Sequence, residues 1–342
     1  MAAPTIPKTH RAVTAVTQPK GFKIIEKPLP VVEDDEILVK VRTTSLNPTD
    51  WKAVFLFNMA KDESSVGCDF AGDVVQIGKN ATGKGADLGD AVAGFLIVQN
   101  DPTNAGFQEY IKTRPQSVIV IPKDKISYQQ AAPFGVALST AVQALYHGLN
   151  LPPPWEPAKE TFPILIWGGS TAIGIYAIKL AKLSGLSVLT TASPKNHDFL
   201  KELGADVVFD YKDPDAPRLI REWSHGGISA ALDTVSDQDS VPLVAQALGD
   251  KGGKIITVLP PGPTGRSNVE TSLTWVSTGI DPSHPESFSK MSDWYRRVPG
   301  YVSELNIMPI KIWEGGLDAI PEALEYMKAG KVSAQKIVVN VS

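Results

Sequence analysis

The chain has very few of the residues that bind metals or form disulfides. Among 342 residues there are one cysteine, Cys68, and five histidines. A single cysteine excludes a disulfide within the chain, and it excludes a structural zinc site built on several thiolates. This low count limits the metal chemistry open to the protein.

Neither an excess of charge nor a long apolar run is present. The 33 basic and 37 acidic residues give a formal net charge of -4, and neither sign forms a long run, so the charge pattern of a nucleic-acid-binding protein is missing. No segment stays apolar for the roughly 18 residues that a membrane helix needs, and no apolar stretch follows the first residues. We therefore expect a cytoplasmic protein with neither a nucleic-acid partner nor a membrane partner.

The remaining composition is that of a packed globular enzyme, with 43% hydrophobic and 20% charged residues. At about 150 residues per domain, the length predicts two domains with a cleft between them.

The first 125 residues or so alternate short β-rich runs with turns rich in glycine and aspartate. This pattern predicts a mostly antiparallel, barrel-like β domain. The predicted strands are Arg11–Val16, Phe22–Glu26, Glu36–Leu46, Phe70–Ile77 and Ala91–Ile97.

From Ser127 onward the pattern changes to alternating helices and strands. A helix is predicted at Gln129–Leu149, and a proline-rich loop follows it at Leu151–Pro163. Regular alternation predicts an α/β domain with a doubly wound parallel sheet and helices on both faces. The predicted elements after the loop are strands at 164–167, 187–191, 207–209, 230–233 and 254–259, and helices at 172–183, 196–203, 217–223 and 240–248.

The last third is less regular, with a possible strand at Leu273–Ser277 and a helix at Phe288–Arg297. A helix at Ile320–Ala329 and a strand at Lys336–Val341 have no place in the parallel sheet, so we expect them to return to the first domain. The predicted domains are therefore a catalytic domain of residues 1–126 and 310–342 and a nucleotide-binding domain of residues 127–309.

A glycine-rich loop joins the apolar strand 164–167 to the next helix. Such a loop presents backbone N–H groups and the positive end of the helix dipole to a pyrophosphate, although a tight turn alone also requires glycine. Within a strand and helix pattern of this kind, nucleotide binding is the better interpretation. The predicted phosphate-binding residues are Gly168, Gly169, Ser170, Thr171, Ala172 and Ile173.

Thr171 occupies the position of a middle glycine in the dinucleotide fingerprint. Its side chain either blocks close approach of the backbone or binds phosphate through its hydroxyl, together with Ser170. We favour the second interpretation, because the loop around it is rich in hydroxyl groups.

The end of the following strand lacks the carboxylate that an NAD-selective site places against the ribose 2′-hydroxyl. The segment contains Ser193, Lys195 and Asn196 instead. Ser193 and Lys195 can donate hydrogen bonds to a 2′-phosphate, so we expect NADPH. The alternative is a serine that caps a helix and a solvated lysine.

Several segments resemble one enzyme family, the medium-chain dehydrogenase/reductases. The resemblance is closest to their zinc-independent quinone-reductase-like branch and to the fungal stand-alone, trans-acting enoyl reductases. It implies a Rossmann-type nucleotide domain beside a GroES-like catalytic domain. The segments are Leu46–Lys52, Gly67–Gly72, Gly168–Gly174, Leu203–Asp206 and Gly330–Ser333.

The resemblance also indicates what has happened to the catalytic metal of the zinc alcohol dehydrogenases. The first ligand position matches Asn47, and the Gly-His-Glu element matches Gly67, Cys68 and Asp69. A cysteine and an aspartate alone make a poor zinc site, and none of the histidines lies near these motifs in sequence. We expect no catalytic zinc, with Cys68 acting as a small buried apolar residue.

Loss of the metal favours a different reaction, because alcohol oxidation in this fold relies on a Lewis acid. Hydride transfer to an enone or enoyl thioester leaves an enolate, which a few hydrogen-bond donors can stabilise. The resemblance implies catalytic roles for Asn47, Lys52 and Thr140, although a surface lysine and a packing hydroxyl are the ordinary alternatives. No residue stands out as the proton donor. The resemblance further implies cofactor contacts from Pro48, Lys52, Thr140, Tyr211, Val258, Leu259 and Lys336.

Other functions stay open at this point. The chain could reduce a quinone or an aldehyde, or bind a nucleotide without catalysis. The substrate could be a small enone, or an acyl thioester delivered by a carrier protein or partner synthase. Monomer and homodimer are both compatible with the sequence.

Overall fold

The computed structural model describes residues 6–97, 101–237 and 239–341. It divides the chain into two compact units: unit 1 contains Met1–Val136 and Ser277–Ser342, and unit 2 contains Ala137–Val276. Both ends of the predicted nucleotide domain, residues 127–136 and 277–309, therefore lie in unit 1.

The strands of the described residues are, in chain order, β1 (Thr9–Thr17), β2 (Lys20–Pro28), β3 (Ile37–Ser45), β4 (Asp69–Ile77), β5 (Ala91–Phe95), β6 (Tyr110–Thr113), β7 (Val118–Val120), β8 (Pro163–Trp167), β9 (Ser187–Thr191), β10 (Val207–Phe209), β11 (Ala230–Asp233), β12 (Gly253–Thr257), β13 (Val269–Leu273), β14 (Ile310–Ile312) and β15 (Lys336–Asn340). The α-helices are α1 (Pro48–Phe55), α2 (Tyr128–Ala131), α3 (Val136–Val142), α4 (Ala172–Leu183), α5 (His197–Leu203), α6 (Ala216–Trp223), α7 (Ser240–Ala247), α8 (Pro285–Arg297), α9 (Val302–Leu305) and α10 (Ile320–Lys328). Within the described residues, no helix combines the length and the apolar character needed to cross a bilayer.

Unit 1 is built on β-sheet. Its larger sheet has the strand order β14-β15-β3-β4-β5-β7, β6 pairs with β3, and β1 and β2 form a separate antiparallel pair. Apart from the parallel pair β14 and β15, the strands run antiparallel. The mostly antiparallel arrangement is confirmed, and the returning tail supplies β15 beside β3. Buried side chains such as Val39, Phe70 and Ile111 fill one of its cores.

Unit 2 contains the six-stranded sheet β10-β9-β8-β11-β12-β13, in which all the pairs are parallel. The predicted Rossmann-type sheet is therefore confirmed. Chain order reverses between β8 and β11, and in such sheets ligands bind at the carboxyl ends of the strands on either side of the reversal. Leu165, Leu189 and Ile255 are buried in the core of this unit.

The helix predicted at Gln129–Leu149 is divided in the structure. α2 ends at a 3₁₀ turn, Ala132–Phe134, before α3 begins, and the last turns, Gln143–Gly148, are π-helical. Pro133 has no N–H to donate and disrupts a continuous helix. At Gly135 a Cβ would lie 2.2 Å from Asp69 Oδ1, so close approach to β4 requires glycine there.

Three elements differ from the prediction: one strand is shifted, one helix was not predicted, and one helix belongs to the other unit. The strand predicted at Leu273–Ser277 is found at Val269–Leu273, and α1 was not predicted. α8 contacts β7 of unit 1, which assigns its segment to that unit. An amphipathic pattern shows that a helix has a partner but does not identify it.

Candidate active site

The first part of the site is the turn from β3 into α1. Asn47 has an extended backbone (φ -122°, ψ 152°) at the N-cap position, and Pro48 begins the helix. Proline suits this position, since its fixed φ is helical and the missing N–H would have no helical partner. Asp50 Oδ2 accepts the backbone N–H of Asn47 at 2.6 Å. The turn buries Asn47 and leaves Pro48 exposed.

A buried ion pair lies beside Asn47. Lys336 Nζ is 3.1 Å from Asp69 Oδ2, and their side chains are 3% and 0% exposed. The same ammonium donates to Asn47 Oδ1 at 2.5 Å. The sheet explains this meeting, because Ser45 at the end of β3 pairs with Val338 of β15, so Lys336 lies just beyond the end of β3.

Asp69 has further partners on both carboxylate oxygens. Ser45 donates its hydroxyl to Oδ2 at 2.6 Å, and the backbone N–H of Val136 donates to Oδ1 at 2.7 Å. A buried carboxylate is tolerated when it is paired and hydrogen-bonded in this way.

Asp50 and Cys68 complete the buried polar cluster, which we define as Asn47, Asp50, Cys68, Asp69 and Lys336. Burial, opposed by the hydrogen bond from Asn47, raises the pKa of Asp50 to about 7. Burial, reinforced by the nearby Asp50 and Asp69 carboxylates, raises the pKa of the Cys68 thiol well above its usual range. Among the described residues, the buried Asn47 Nδ2 has no hydrogen-bond partner.

This cluster does not fit a zinc ion. A zinc site needs three or four thiolate, imidazole or carboxylate ligands, whereas Lys336 brings an ammonium into contact with Asp69, and Asn47 offers only an amide. In the described part of the chain, no group of three or more His, Cys, Asp or Glu side chains could hold a metal.

Of three other residues predicted for the site, Lys52 and Lys336 lie in unit 1 and Thr140 lies in unit 2. Lys52 is half-buried on α1, with Nζ 5.8 Å from the centre of the Trp51 ring. Lys336, predicted to contact the cofactor, directs its ammonium to Asn47 and Asp69 instead of to the surface. Thr140 lies in unit 2, buried on α3.

The predicted phosphate-binding loop connects β8 to α4 in unit 2. Gly168 has φ +82°, a conformation that favours glycine, and a Cβ at Gly174 would lie 2.4 Å from the Gly168 carbonyl oxygen. The helix can therefore start directly against the loop. Ala172 and Ile173 are in the first turn of α4, where backbone N–H groups have no acceptor within the helix. These groups suit a pyrophosphate.

Thr171 serves the helix in a way that sequence reasoning did not foresee. Its Oγ1 accepts the N–H of Gly174 at 2.9 Å and donates to Thr234 Oγ1 at 2.9 Å. Threonine is a favourable N-cap residue because it satisfies such an N–H. The Thr171 hydroxyl, predicted to bind phosphate, thus has its proton committed to Thr234.

A buried aspartate that the sequence analysis missed organises the next strand end. Asp233 Oδ1 accepts the N–H groups of Val235 and Ser236 at 3.0 and 2.9 Å, and Oδ2 accepts the Ser240 hydroxyl at 2.6 Å. Burial raises the pKa of Asp233. Ser236 Oγ in turn accepts the N–H of Val258 at 2.9 Å. The network fixes Val258, ahead of Leu259, where β12 ends. The sequence did contain a signal for this role, because Asp233 is a carboxylate at the end of the otherwise apolar strand 230–233.

The residues predicted to select NADPH follow the carboxyl ends of β9 and β10, two further strands of the same sheet. Thr191 pairs with Phe209, so the segments after β9 and β10, containing Ser193 and Tyr211, leave the sheet together. Lys195 and Tyr211 are exposed, while Asn196 is buried. In this structure the Ser193 hydroxyl does not cap the short helix that follows it.

Charges of both signs follow β10 beside this segment. Lys212 Nζ is 5.9 Å from the centre of the Tyr211 ring. Asp210 Oδ1 accepts the N–H of Lys212 at 3.0 Å. Sequence reasoning named Tyr211 at this strand end but assigned no role to the charges of Asp210 and Lys212 beside it.

Comparison with known proteins gives consistent matches over nearly the whole chain. Residues 33–123 match the alcohol dehydrogenase GroES-like domain family, and residues 172–288 match the zinc-binding dehydrogenase family. A trans-enoyl reductase of Alternaria alternata is 37% identical over 344 residues, covering 97% of this chain and 99% of the relative. A trans-enoyl reductase of Pyricularia oryzae is 32% identical over 361 residues, covering 99% and 100%.

Solved structures support the same fold. The quinone oxidoreductase from Coxiella burnetii superposes with a TM-score of 0.72 at 24% identity, over 98% of this chain and 100% of that one.

Proposed function

Because the chain belongs to the medium-chain dehydrogenase/reductase superfamily and is an oxidoreductase with a nicotinamide cofactor, we propose that it is a zinc-independent, NADPH-dependent reductase of activated carbon–carbon double bonds. Its substrate class is an enone or enoyl thioester. The observation that carries this proposal is the buried cluster, in which Lys336 and Asn47 supply an ammonium and an amide where a zinc enzyme needs metal ligands.

Each unit contributes a separate task to this reaction. In unit 2, the glycine loop and the first N–H groups of α4 bind the pyrophosphate, and Val258 and Leu259 border the nicotinamide. In unit 1, Asn47 donates a hydrogen bond to the substrate oxygen as negative charge develops on it, which lowers the barrier. Lys52 and Thr140 orient the substrate or the cofactor ribose. The cofactor, when bound, supplies the hydride.

Selection of NADPH over NADH is assigned to the strand ends of β9 and β10. Ser193, Lys195 and Tyr211 can each donate a hydrogen bond to a 2′-phosphate, and charge-assisted bonds of this kind are the stronger ones. Asp210 sets a limit on this preference, since a carboxylate near a phosphate repels it.

The names of the two fungal relatives support an enoyl substrate, and we propose that a partner synthase or carrier protein can deliver it as a thioester. Quinone or aldehyde reduction is the second candidate, and nucleotide binding without catalysis is the third.

One substrate panel tests these functions together. NADPH and NADH oxidation is followed with an enone, an enoyl thioester, a quinone and an aldehyde, and the products are identified by mass. We expect turnover of the enone or the thioester, with NADPH preferred. Turnover of the quinone or aldehyde alone supports the second candidate, and tight NADPH binding without turnover supports the third. Stoichiometric zinc in the active protein contradicts the zinc-independent mechanism.

A further inference from the structure

We propose that Lys336 is a positioning residue, whose ammonium orients and polarises the Asn47 amide so that Nδ2 becomes a fixed hydrogen-bond donor for the substrate carbonyl oxygen. This inference rests on the function proposed above. It gives Lys336 a role different from the cofactor contact expected from the sequence.

The orientation follows from the hydrogen-bonding capacity of the two groups. A lysine ammonium has three donors and no acceptor, whereas an asparagine amide has an acceptor oxygen and a donor NH₂ group. The amide oxygen must therefore face Lys336, as the 2.5 Å contact between Nζ and Oδ1 shows. The flipped amide would place NH₂ against the ammonium. Asp50 holds the same residue through its backbone N–H, so Asn47 is fixed at two points.

The NH₂ group is the part of Asn47 that this arrangement leaves without a partner. Nδ2 is buried and unbonded in a residue that is 4% exposed. Leaving a buried donor unsatisfied is costly, and that cost is removed when an acceptor binds. Pro48, the next residue, is exposed, so the turn that carries Asn47 reaches the surface of unit 1.

The ammonium also makes Nδ2 a stronger donor. A hydrogen bond accepted by the amide oxygen from a cation draws electron density from the nitrogen, and linked bonds strengthen one another in a low-dielectric interior. If the Asp69 carboxylate had no other partner, its full negative charge would cancel the effect of the ammonium on Asn47. Ser45 and the Val136 N–H bind the same carboxylate and share its charge. The positive charge that reaches Asn47 matches the negative charge that develops on an enolate oxygen.

The test compares variants that separate charge, packing and orientation. Lys336→Met alone leaves Asp69 buried and unpaired, so it can fail to fold. The Lys336→Met/Asp69→Asn double variant restores neutrality but leaves Asn47 without a cation. Lys336→Arg keeps the charge and a donor. Lys123→Met is the matched control, because Lys123 pairs with Asp73 in the same unit at 2.9 Å but has no link to Asn47.

We expect kcat of the double variant on an enone to fall by about tenfold, less than the roughly 10²–10³ typical of removing one oxyanion donor, because Asn47 keeps its Nδ2 group. KM for NADPH and the NADPH dissociation constant should stay unchanged, Lys336→Arg should recover part of kcat, and Lys123→Met should match the wild type. In an Asn47→Ala background, the double substitution should cause little further loss. A weaker NADPH affinity with unchanged kcat would instead assign Lys336 to the cofactor and overturn the proposal.

A second measurement does not depend on turnover. In protein labelled with ¹⁵N-asparagine, the Asn47 side-chain NH₂ resonance, identified with Asn47→Ala, should lie downfield of the exposed amides and move upfield in the double variant. An unmoved resonance contradicts the proposal even if the wild type reduces no enone. Absence of turnover with the expected shift would reject the proposed function and leave the polarised amide established.

Discussion

The two units surround their buried carboxylates with different partners. In unit 1, Asp69 lies against the ammonium of Lys336, and the neighbouring Asn47 keeps an unbonded donor. In unit 2, Asp233 receives two backbone N–H groups and one hydroxyl. Asp69 belongs to a charged cluster with unused hydrogen-bonding capacity, whereas Asp233 belongs to a network that satisfies both of its oxygens.

This difference corresponds to different tasks. Groups that must stabilise charge in a reaction need a field and a free donor in place before the substrate arrives. Groups that only position a loop are best when fully satisfied, because partly satisfied buried networks are costly. Unit 1 therefore has the features of a chemical site, and the Asp233 network has those of a scaffold.

The largest expected difference between the units is in the free energy of unfolding when Asp69 or Asp233 is replaced by asparagine. Asp69→Asn should lower the free energy of unfolding by about 3–5 kcal/mol, because it leaves the Lys336 ammonium buried without a counterion. Asp233→Asn should cost about 1–2 kcal/mol, since it weakens hydrogen bonds without stranding a charge. Urea unfolding of both variants measures the difference, and equal losses would remove the distinction between the units.

A smaller effect should follow from crowding the glycine loop. Gly174→Ala adds a Cβ 2.4 Å from the Gly168 carbonyl oxygen, so the loop backbone must shift. We expect a stability loss of about 1–3 kcal/mol, and an NADPH dissociation constant raised at least tenfold, or about 1.4 kcal/mol, by calorimetry. Gly262→Ala is the control, because no atom lies within 4 Å of its added Cβ. Unchanged NADPH affinity in Gly174→Ala would mean that the loop does not bind the pyrophosphate.

Unit 1 should also respond to acid through a buried histidine. Burial, with a smaller contribution from Lys27, lowers the pKa of His10 to about 4 from its ordinary 6.5. Between these values the unfolded chain binds more protons, so stability is lost as the pH falls from 6.5 towards 4, by about 1–2 kcal/mol at pH 5.

His10→Asn removes this titration and keeps an acceptor for the Tyr110 N–H, which His10 Nδ1 accepts at 3.2 Å. Unfolding curves at pH 7 and pH 5 should therefore differ less in this variant. An unchanged pH dependence would assign the acid sensitivity to other groups.

The smallest effect is expected at the ends of β9 and β10 in unit 2, where we propose that the cofactor is selected. Lys195→Ala should raise KM for NADPH about fivefold to tenfold, near 1 kcal/mol, and leave KM for NADH unchanged, because only the 2′-phosphate loses a charged partner. Lys201→Ala, also exposed but on α5, should change neither constant. Equal changes with both cofactors would place Lys195 away from the 2′-phosphate.

Hydrophobic periodicity predicted most of the fold because each strand and helix carries its own pattern. The alternating strands and helices of unit 2 were found within a few residues of their observed ends. α1 escaped prediction since its eight residues are too few to show a clear helical period, although Pro48 at its start is a helix-start signal. The division of the predicted helix has a local signal in Pro133 that sequence reasoning passed over, whereas the close approach of Asp69 to Gly135 is contained in no local pattern.

Some residues of the candidate site could be predicted from their neighbours in sequence, and others are brought together only by the fold. The glycine loop could be identified from adjacent residues. The partnership of Lys336 with Asn47 joins positions 289 apart in sequence, and only strand pairing brings them together. Thr171 shows the opposite limit, because sequence reasoning weighed steric blocking and phosphate binding for it and did not consider the N-cap hydrogen bond that it accepts from the Gly174 N–H.

The position of β15 has a consequence for the order in which the protein is made. All of unit 2 leaves the ribosome before Lys336, and domains fold largely in the order of their synthesis. Until β15 pairs with β3, the nascent first unit holds Asp69 without its counterion. The cation that completes the cluster thus arrives only after all of unit 2 has been made, which links the charge balance of the cluster to the synthesis of β15.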